Sequence, residues 1–260
     1  MATEAKEYGT MDKYEQMGAP SSGSGSLRLF TGLVLVAQVL GLGVVILVAV
    51  WMGHYRGGFA WQGNPAKEFN YHPLFMVIGF VFLSGNAMLV YRVFRNDKKI
   101  YVKVMHALLQ LSALVFVICG LKAVFDSHNL PTPPINNMYS LHSWLGITTV
   151  VLFCLQWVAG FISFLKPGVS VGLRASYKPH HVFWGVLLYV LAIGTCLTGI
   201  TEKAFFSVQG YSTYVPEGYL VNAIGMLLVV LGALVVYIVT KPDYAREPLP
   251  EEQHIQMNDN

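Results

Sequence analysis

Residues 72–94 read HPLFMVIGFVFLSGNAMLVYRVF, an apolar run that opens on His72 and reaches its first charged residue at Arg92. A helix of this length exceeds the roughly 20 residues needed to cross a hydrocarbon core about 30 Å thick. The run is continuously apolar rather than alternating, so it predicts a membrane-spanning helix rather than a strand of a barrel.

Five further runs share this character, and they extend the prediction to the whole chain. The 260 residues are 54% hydrophobic and 12% charged, with a mean hydropathy of +0.51, whereas a soluble domain carries about 25% charged residues. We therefore expect an all-α membrane protein with a single six-helix domain over 29–240. The predicted membrane helices are 29–52, 72–94, 102–125, 141–165, 180–201 and 219–240.

The two ends of the chain are polar. Segment 1–28 contains a Ser/Gly-rich patch and segment 241–260 carries several glutamates, so both are expected to be disordered. The formal net charge of +3 gives no indication of a nucleic-acid partner. The three cysteines all lie inside apolar runs, which indicates no disulfide framework; they are Cys119, Cys154 and Cys196.

Basic residues are unevenly divided between the two sides of the predicted membrane domain. Thirteen Lys and Arg lie with the termini and with the connections after the second and fourth helices, against four on the other side. The positive-inside rule therefore predicts that both termini and these two connections are cytoplasmic.

The most informative feature is the position of four histidines. His72, His142 and His181 open the second, fourth and fifth predicted helices, and His106 lies one turn into the third. An ionisable residue in a membrane segment is costly to bury and is by default a functional hypothesis. A solvated helix end explains any one of them, but four in consecutive helices weaken that explanation.

Helix direction sorts these histidines into two pairs. His72 and His142 share the non-cytoplasmic depth, while His106 and His181 share the cytoplasmic depth. Paired imidazoles without a Cys or carboxylate cluster suit bis-histidine haem ligation better than zinc, which usually takes three or four protein ligands. Two haems, one near each surface, would carry electrons across the bilayer. Because His180 precedes His181, the pattern alone leaves open which of the two is the ligand.

Helix glycines could leave space for a flat macrocycle. For any single glycine, ordinary small-residue packing between helices is an equally good explanation. The candidates are Gly79, Gly85, Gly120, Gly146, Gly160, Gly185 and Gly199.

Six segments, in fixed order between Trp51 and Thr240, carry a family resemblance. FNYHPLFMVIGF, VYRVFRN, KVMHALL, MYSLHSWLGI, LRASYKPHHVFWG and LTGITEKAFFS resemble the cytochrome b561 family, and GNAMLVYRVFRN is most similar to its chromaffin-granule branch. The resemblance implies a homodimer of six-helix subunits in a secretory-vesicle membrane. It places two haems b in a central bundle of helices 2–5, and it implies that His181 rather than His180 is the ligand.

The activity implied by the resemblance is electron transfer from cytosolic ascorbate to monodehydroascorbate radical in the vesicle lumen. In sister branches the acceptor is ferric iron, so the alternative is an ascorbate-dependent reductase of a ferric chelate. Both alternatives make the chain a transmembrane oxidoreductase.

The same resemblance assigns residues around the inner haem. Lys103 and Arg174 match positions implicated in cytosolic ascorbate binding, and Arg92 and Lys99 match positions that contact haem propionates. Without the resemblance, the residues would favour reading this cluster as the positive-inside signal alone.

On the non-cytoplasmic side, the resemblance places His128, with Phe125 beside it, at the external acceptor or metal site. A solvated loop histidine is the alternative explanation for His128, and His54 could border the same site. The resemblance also brings a polar set near the outer haem, namely Asn137, Met138, Tyr139, Ser140 and Glu202.

Two other classes of membrane protein compete with this interpretation. A proton-coupled transporter would use the histidines as a relay, but it predicts polar groups near the bilayer midplane. A haem-anchoring subunit of a respiratory complex would lack a substrate site, which the basic cluster and the external histidine argue against.

Overall fold

The computed structural model of the protein describes residues 23–246, with side chains from residue 28 onward. The regular elements of this range are all helical, and six helices are long and apolar enough to cross a membrane. The predicted all-α, six-helix class is therefore confirmed. The disorder predicted before residue 23 and after residue 246 lies outside the described residues.

The six membrane helices differ in length and regularity. Helix α1 continues as a π-helical turn over Trp51–Tyr55, and α2 contains a π-helical stretch over Val77–Leu83. Short 3-10 turns follow α5 and α6 at Tyr211–Thr213 and Pro242–Tyr244. The helices are α1 Gly23–Val50, α2 Pro65–Val93, α3 Lys99–Asn129, α4 Leu141–Phe164, α5 Val171–Ser207 and α6 Pro216–Thr240.

Helix α5 departs most from its predicted bounds. It begins at Val171 rather than at residue 180, with the Ser170 side chain accepting a hydrogen bond from Leu173 N at 3.3 Å. Arg174 therefore lies in the first turn of α5 rather than in a connecting loop, and His181 lies well inside the helix rather than opening it. Hydropathy identifies only the apolar part of a membrane helix. The first turns of α5 are polar, so the sequence-based prediction did not include them.

Helix α3 is also longer than predicted at both ends. The predicted helix ends at residue 125, but the helix continues to Asn129, so Phe125 and His128 both lie in its last two turns. At the other end the helix begins at Lys99, so His106 lies about two turns in rather than one. The same limit of hydropathy applies, because the added turns carry charged and polar side chains.

The helices pack as a central group with two helices on its flank. Helix α2 packs against α3, α4 against α5, and α3 against α4, while α1 lies against α6 and α2. The α1–α6 contact is filled by branched apolar residues that are fully buried, such as Val44, Ile224 and Leu228. Outward-facing residues such as Val39 and Met226 are exposed and apolar, as expected of a surface that faces lipid rather than water.

Side-chain contacts fasten the helix ends on the side where α1 begins and α6 ends, which we call the terminal face. The buried ring of Tyr244 lies 4.9 Å from that of Phe30, and the Arg95 guanidinium lies 5.1 Å from the centre of the same phenyl ring. Arg92 donates a hydrogen bond to the Val239 carbonyl oxygen. The first residues of the predicted disordered tail, 241–246, thus pack against the membrane domain.

The other side, which we call the opposite face, carries a buried cluster of polar residues around Glu217. The Glu217 carboxylate at the start of α6 accepts hydrogen bonds from Trp51 Nε1 at 2.7 Å and from Arg56 Nη2 at 2.5 Å. Arg56 also donates to the Ser207 carbonyl oxygen at 2.6 Å. This cluster joins the ends of α1, α5 and α6. Its hydrogen bond between Arg56 and Glu217 is charge-assisted and therefore stronger than a neutral one.

Helices α2 and α3 approach each other closely at Gly79. A methyl group built on Gly79 would lie 2.8 Å from the Ala113 carbonyl oxygen and 3.2 Å from Val117 Cγ2. A backbone oxygen cannot move aside as a side chain can, so this contact requires glycine.

We expect Gly79→Ala to lower the thermal stability of the detergent-solubilised protein, since overpacking a helix contact costs about 1–3 kcal/mol. Gly43→Ala is the matched control, because a methyl group there meets nothing within 4 Å and alanine favours a helix over glycine by up to about 1 kcal/mol. Equal melting temperatures for the two variants would show that the close approach is not limiting.

Candidate functional site

Two pairs of histidines face each other between the central helices. The ring centres of His72 on α2 and His142 on α4 lie 6.0 Å apart, with an interplanar angle of 84°. Those of His106 on α3 and His181 on α5 lie 6.2 Å apart at 70°. The structure therefore brings together the same two pairs that helix direction predicts, one pair toward each face.

The preceding histidine, His180, belongs to neither pair. Its side chain is exposed, whereas His181 is turned toward His106 and its backbone carbonyl accepts a hydrogen bond from Gln156 Nε2 at 2.7 Å. The structure thus distinguishes two adjacent residues that the residue pattern alone left equivalent.

Three of the four imidazoles are oriented by backbone carbonyl groups of a neighbouring helix. The ring nitrogen Nδ1 lies 3.1 Å from Gly120 O in His72, 2.7 Å from Ala87 O in His106, and 3.0 Å from Thr195 O in His142. A carbonyl oxygen can only accept, so Nδ1 carries the proton in each case. The other nitrogen, Nε2, is then unprotonated and available to a metal, the arrangement usual for histidine ligands.

His181 differs in that its Nδ1 is buried without a hydrogen-bond partner among residues 23–246. The ring is instead enclosed by aromatic side chains, with Phe164 at 5.2 Å and Tyr177 at 6.0 Å between ring centres. Its orientation is therefore determined by packing rather than by a carbonyl group.

Two glycines give the imidazoles of α4 and α5 their space. A methyl group on Gly160 of α4 would lie 2.8 Å from His181 Cε1, and one on Gly199 of α5 would lie 2.6 Å from His142 Cε1. Each helix thus provides one histidine and one glycine to its neighbour. Gly79 and Gly85, in contrast, approach Ala113 and Tyr189, so these two serve helix packing.

These features fit a haem held between each pair of imidazoles. Two metal–nitrogen bonds of about 2 Å, with the distance from each nitrogen to its ring centre, require ring centres about 6 Å apart, as both pairs show. Among the described residues, no group of three or more His, Cys, Asp or Glu could hold a metal ion. The pairs therefore match bis-histidine ligation and not a structural zinc site.

Near His181, basic side chains meet the end of α4. Lys103 Nζ donates to the Phe164 carbonyl oxygen at 3.2 Å, and Arg174 Nη2 lies 3.5 Å from the Lys166 carbonyl oxygen. The C-terminal end of a helix attracts cations, because its last carbonyl groups lack partners within the helix. The structure thus brings Lys103 and Arg174, which are 71 positions apart (174 − 103), to the same helix end.

The other two basic candidates lie on the same terminal face. Arg92 donates to the Val239 carbonyl oxygen, so part of its hydrogen-bonding capacity ties α2 to α6. Lys99 begins α3, one turn before Lys103, and side chains at this spacing lie on the same side of a helix.

On the opposite face, the end of α3 meets the connection to α4. His128 Nδ1 donates to Asn137 Oδ1 at 3.1 Å, and Asn137 Nδ2 donates to Asn129 Oδ1 at 2.8 Å. His128 Nε2 is then the nitrogen free to accept or to bind. Phe125 lies three residues earlier in the same helix, which places it beside His128.

The rest of the predicted polar set lies at the start of α4. Ser140 caps this helix by accepting a hydrogen bond from Ser143 N at 3.2 Å, and its hydroxyl donates to Glu202 Oε2 at 3.2 Å. Tyr139 is exposed, and Met138 adopts a positive φ of 58° at the bend before it. His54 lies at the end of α1, where its ring packs against Tyr55 at 4.9 Å.

Sequence reasoning missed several residues around the pairs. Gln156, Phe164 and Tyr177 surround His181, and Tyr91 lies 5.4 Å from the ring of His106. Gln156 could have been noticed, because a polar residue in the middle of a membrane helix is costly and usually functional. The aromatic residues carry no such signal, since they are common in membrane helices.

Comparison with known proteins gives the family. A family model described as eukaryotic cytochrome b561 matches residues 71–207. The human transmembrane ascorbate-dependent reductase CYB561 is 47% identical over 226 residues, covering 86% of this chain and 88% of the human protein. The pig protein of the same name is 48% identical over the same shares of both chains.

A differently named relative also matches over most of its length. The rat plasma membrane ascorbate-dependent reductase CYBRD1 is 43% identical over 235 residues, covering 89% of this chain and 81% of the rat protein. The matched family region includes all four paired histidines, so the predicted resemblance is confirmed. The chain belongs to the cytochrome b561 family.

Proposed function

We propose that this chain is a transmembrane ascorbate-dependent reductase that passes electrons from cytosolic ascorbate to monodehydroascorbate radical on the other side. The observation that carries the proposal is the pair of facing imidazoles near each face, at 6.0 and 6.2 Å between ring centres. Relatives 43–48% identical are named ascorbate-dependent reductases, which supports the same activity here.

Four histidines hold the cofactors in this proposal. His72 with His142 and His106 with His181 bind one haem b each, and haem b supplies the one-electron chemistry. The Nδ1 hydrogen bonds to Gly120 O, Ala87 O and Thr195 O fix the orientation of three rings and leave Nε2 of each for the haem iron. Imidazole ligands that are already held in position need not rearrange when a haem gains or loses an electron.

The two histidine pairs differ in depth by most of the thickness of the membrane, so together they reach from one face to the other. His106 is level with Ala87, which is 15 residues (87 − 72) beyond His72 on α2. At 1.5 Å per α-helical residue, and somewhat less over the π-helical stretch Val77–Leu83, the two levels are about 20 Å apart, most of the thickness of a hydrocarbon core.

Lys103 and Arg174 bind the donor. Ascorbate is an anion at neutral pH, and both cations lie at the end of α4 beside Phe164, whose ring contacts His181. Two positive charges at this point attract and orient the anion next to the inner pair. Arg92 and Lys99, on the same face, would hold the propionates of the inner haem, as the resemblance implies.

On the opposite face, His128 and Phe125 form the acceptor site. His128 is held by Asn137 through Nδ1 and leaves Nε2 for the acceptor. The Asn137–Ser140 stretch, with Glu202 bound to Ser140, would lie against the outer haem, as the resemblance implies. Reduction of a ferric chelate is the second candidate function. The resemblance implies this acceptor for sister branches of the family, and CYBRD1, a relative that is not named CYB561, is 43% identical to this chain.

The setting of the protein is part of the proposal. The excess of basic residues on the terminal face supports cytoplasmic termini, and the resemblance to the chromaffin-granule branch supports a homodimer in a secretory-vesicle membrane. The lipid-facing helices make it a multi-pass membrane protein.

The haem content of the purified protein tests the cofactor. We expect two haems b per chain by pyridine haemochrome assay, with about one in His106→Ala and in His142→Ala, since each substitution removes one axial ligand. His180→Ala should keep both, because that side chain is exposed. A parent protein without a haem spectrum would refute the proposed function.

The glycines beside the imidazoles should be needed for haem binding. A methyl group on Gly199 leaves no room for the His142 ring in its present position, and one on Gly160 does the same to His181. We expect each variant to lose haem from one site only, as seen in reductive titration. Gly194→Ala on α5 is the control, because a methyl group there meets nothing within 4 Å.

The donor site can be tested by steady-state kinetics. Lys103→Gln and Arg174→Gln should each raise the KM for ascorbate about tenfold, as expected for the loss of one charge-assisted contact, with both haems retained. Lys178→Gln, an exposed lysine of the same region, should leave the KM unchanged. An equal rise in all three variants would indicate long-range attraction in place of a binding site.

A further inference from the structure

A polar cavity of about 500 Å³ opens on the opposite face, between the ends of α1, α2, α5 and α6. Its walls include Arg56 from the end of α1, Lys203 from α5 and Glu217 from α6. The volume lies in the range of small-ligand sites. Ala66 and Gln209 at its rim are exposed and lie outside the apolar core of the helices, so it is reached from water.

The charges of the cavity do not cancel. Arg56 and Lys203 are positive and Glu217 is negative, which leaves one positive charge among the three. Glu217 is fully engaged, since its two oxygens accept from Trp51 Nε1 and Arg56 Nη2. Its negative charge is therefore paired with Arg56 and not with Lys203.

Lys203 is the uncompensated cation. Within residues 23–246, its ammonium group has no hydrogen bond or ion pair and lies 3.9 Å from the centre of the Phe69 ring. The charged groups that act on it are Arg56, which repels it, and Glu217, which attracts it. A cavity that is reached from water and whose wall carries a cation without an anionic partner favours an anion.

The cavity is adjacent to one of the histidine pairs. Phe69 lies under the Lys203 ammonium group, and its ring centre is 5.9 Å from that of His72. A ligand bound by Lys203 is therefore separated from the His72–His142 pair by a single aromatic ring. This position is distinct from the His128–Asn137 contact, which lies at the end of α3.

We propose that this cavity is a second docking site for the anionic electron acceptor, with Lys203 as its main binding residue. The inference rests on the proposed function. The acceptor class is a small organic anion with carboxylate or enolate oxygens, either a monodehydroascorbate anion or a ferric chelate. The former takes up one electron, supplied by ascorbate oxidised on the other face, and one proton from external water to become the ascorbate monoanion.

Binding is tested first without electron transfer. Citrate serves as a redox-inert carboxylate probe, titrated calorimetrically into the oxidised protein in phosphatidylcholine nanodiscs. We expect Lys203→Gln to weaken citrate binding about five- to tenfold and Lys203→Arg to restore it. Lys67→Gln, which alters a lysine of the same face outside the cavity wall, should bind as the parent does.

Electron transfer is tested next on ascorbate-reduced protein at low ionic strength. We expect Lys203→Gln to slow re-oxidation by ferric citrate, an anion, about five- to tenfold, and to leave re-oxidation by hexaammineruthenium(III), a cation, as fast as in the parent. Equal slowing with both oxidants, or unchanged citrate binding in Lys203→Gln, would overturn the proposal.

Two further outcomes separate the possible explanations. Loss of citrate binding in nanodiscs that contain phosphatidylserine would show that an anionic headgroup fills the cavity, which overturns a site for a soluble acceptor. Citrate binding that depends on Lys203 in a protein without haem would refute the proposed function and still support the anion site.

Discussion

The structure depends on hydrogen bonds between imidazole Nδ1 groups and backbone carbonyl groups of neighbouring helices. Gly120 O, Ala87 O and Thr195 O already belong to helices, and each uses its second lone pair to accept from a histidine. In the membrane interior no water competes for these bonds. They set the ring tautomer, the direction of Nε2 and the depth of each histidine at once.

This constraint explains why the central helices are paired as they are. An imidazole reaches a backbone carbonyl only where two helices approach closely, and glycine permits that approach. On α4 and α5 each imidazole lies against a glycine of the other helix, His142 against Gly199 and His181 against Gly160, and of these two it is His142 that bonds a carbonyl. The outer helices α1 and α6 take no part in it. They pack through buried apolar residues and cover α2 and α5 on one flank.

The two faces of the protein use polar residues differently. On the terminal face, Lys103 and Arg174 converge on the last carbonyl groups of α4 and remain positioned to meet an anion. On the opposite face, Arg56 is engaged by Glu217 and Ser207, and it is Lys203 that retains an unpaired charge within the described chain. A positive site at each end is what a carrier of electrons between two anions requires.

The sequence by itself determined the six helices and the two histidine pairs. A helix that faces lipid must be apolar, so the apolar runs were enough to locate all six membrane helices. The direction of each helix then grouped His72 with His142 and His106 with His181. The sequence could not place helix ends, since polar turns that extend beyond the apolar core look like loops, as the start of α5 shows. The residue pattern left His180 and His181 equivalent; the family resemblance favoured His181, and the tertiary structure places that ring against His106. The tertiary structure alone assembled the cavity of Arg56, Lys203 and Glu217, because the end of α1 meets the distant α5 and α6 only through packing, which no local pattern records.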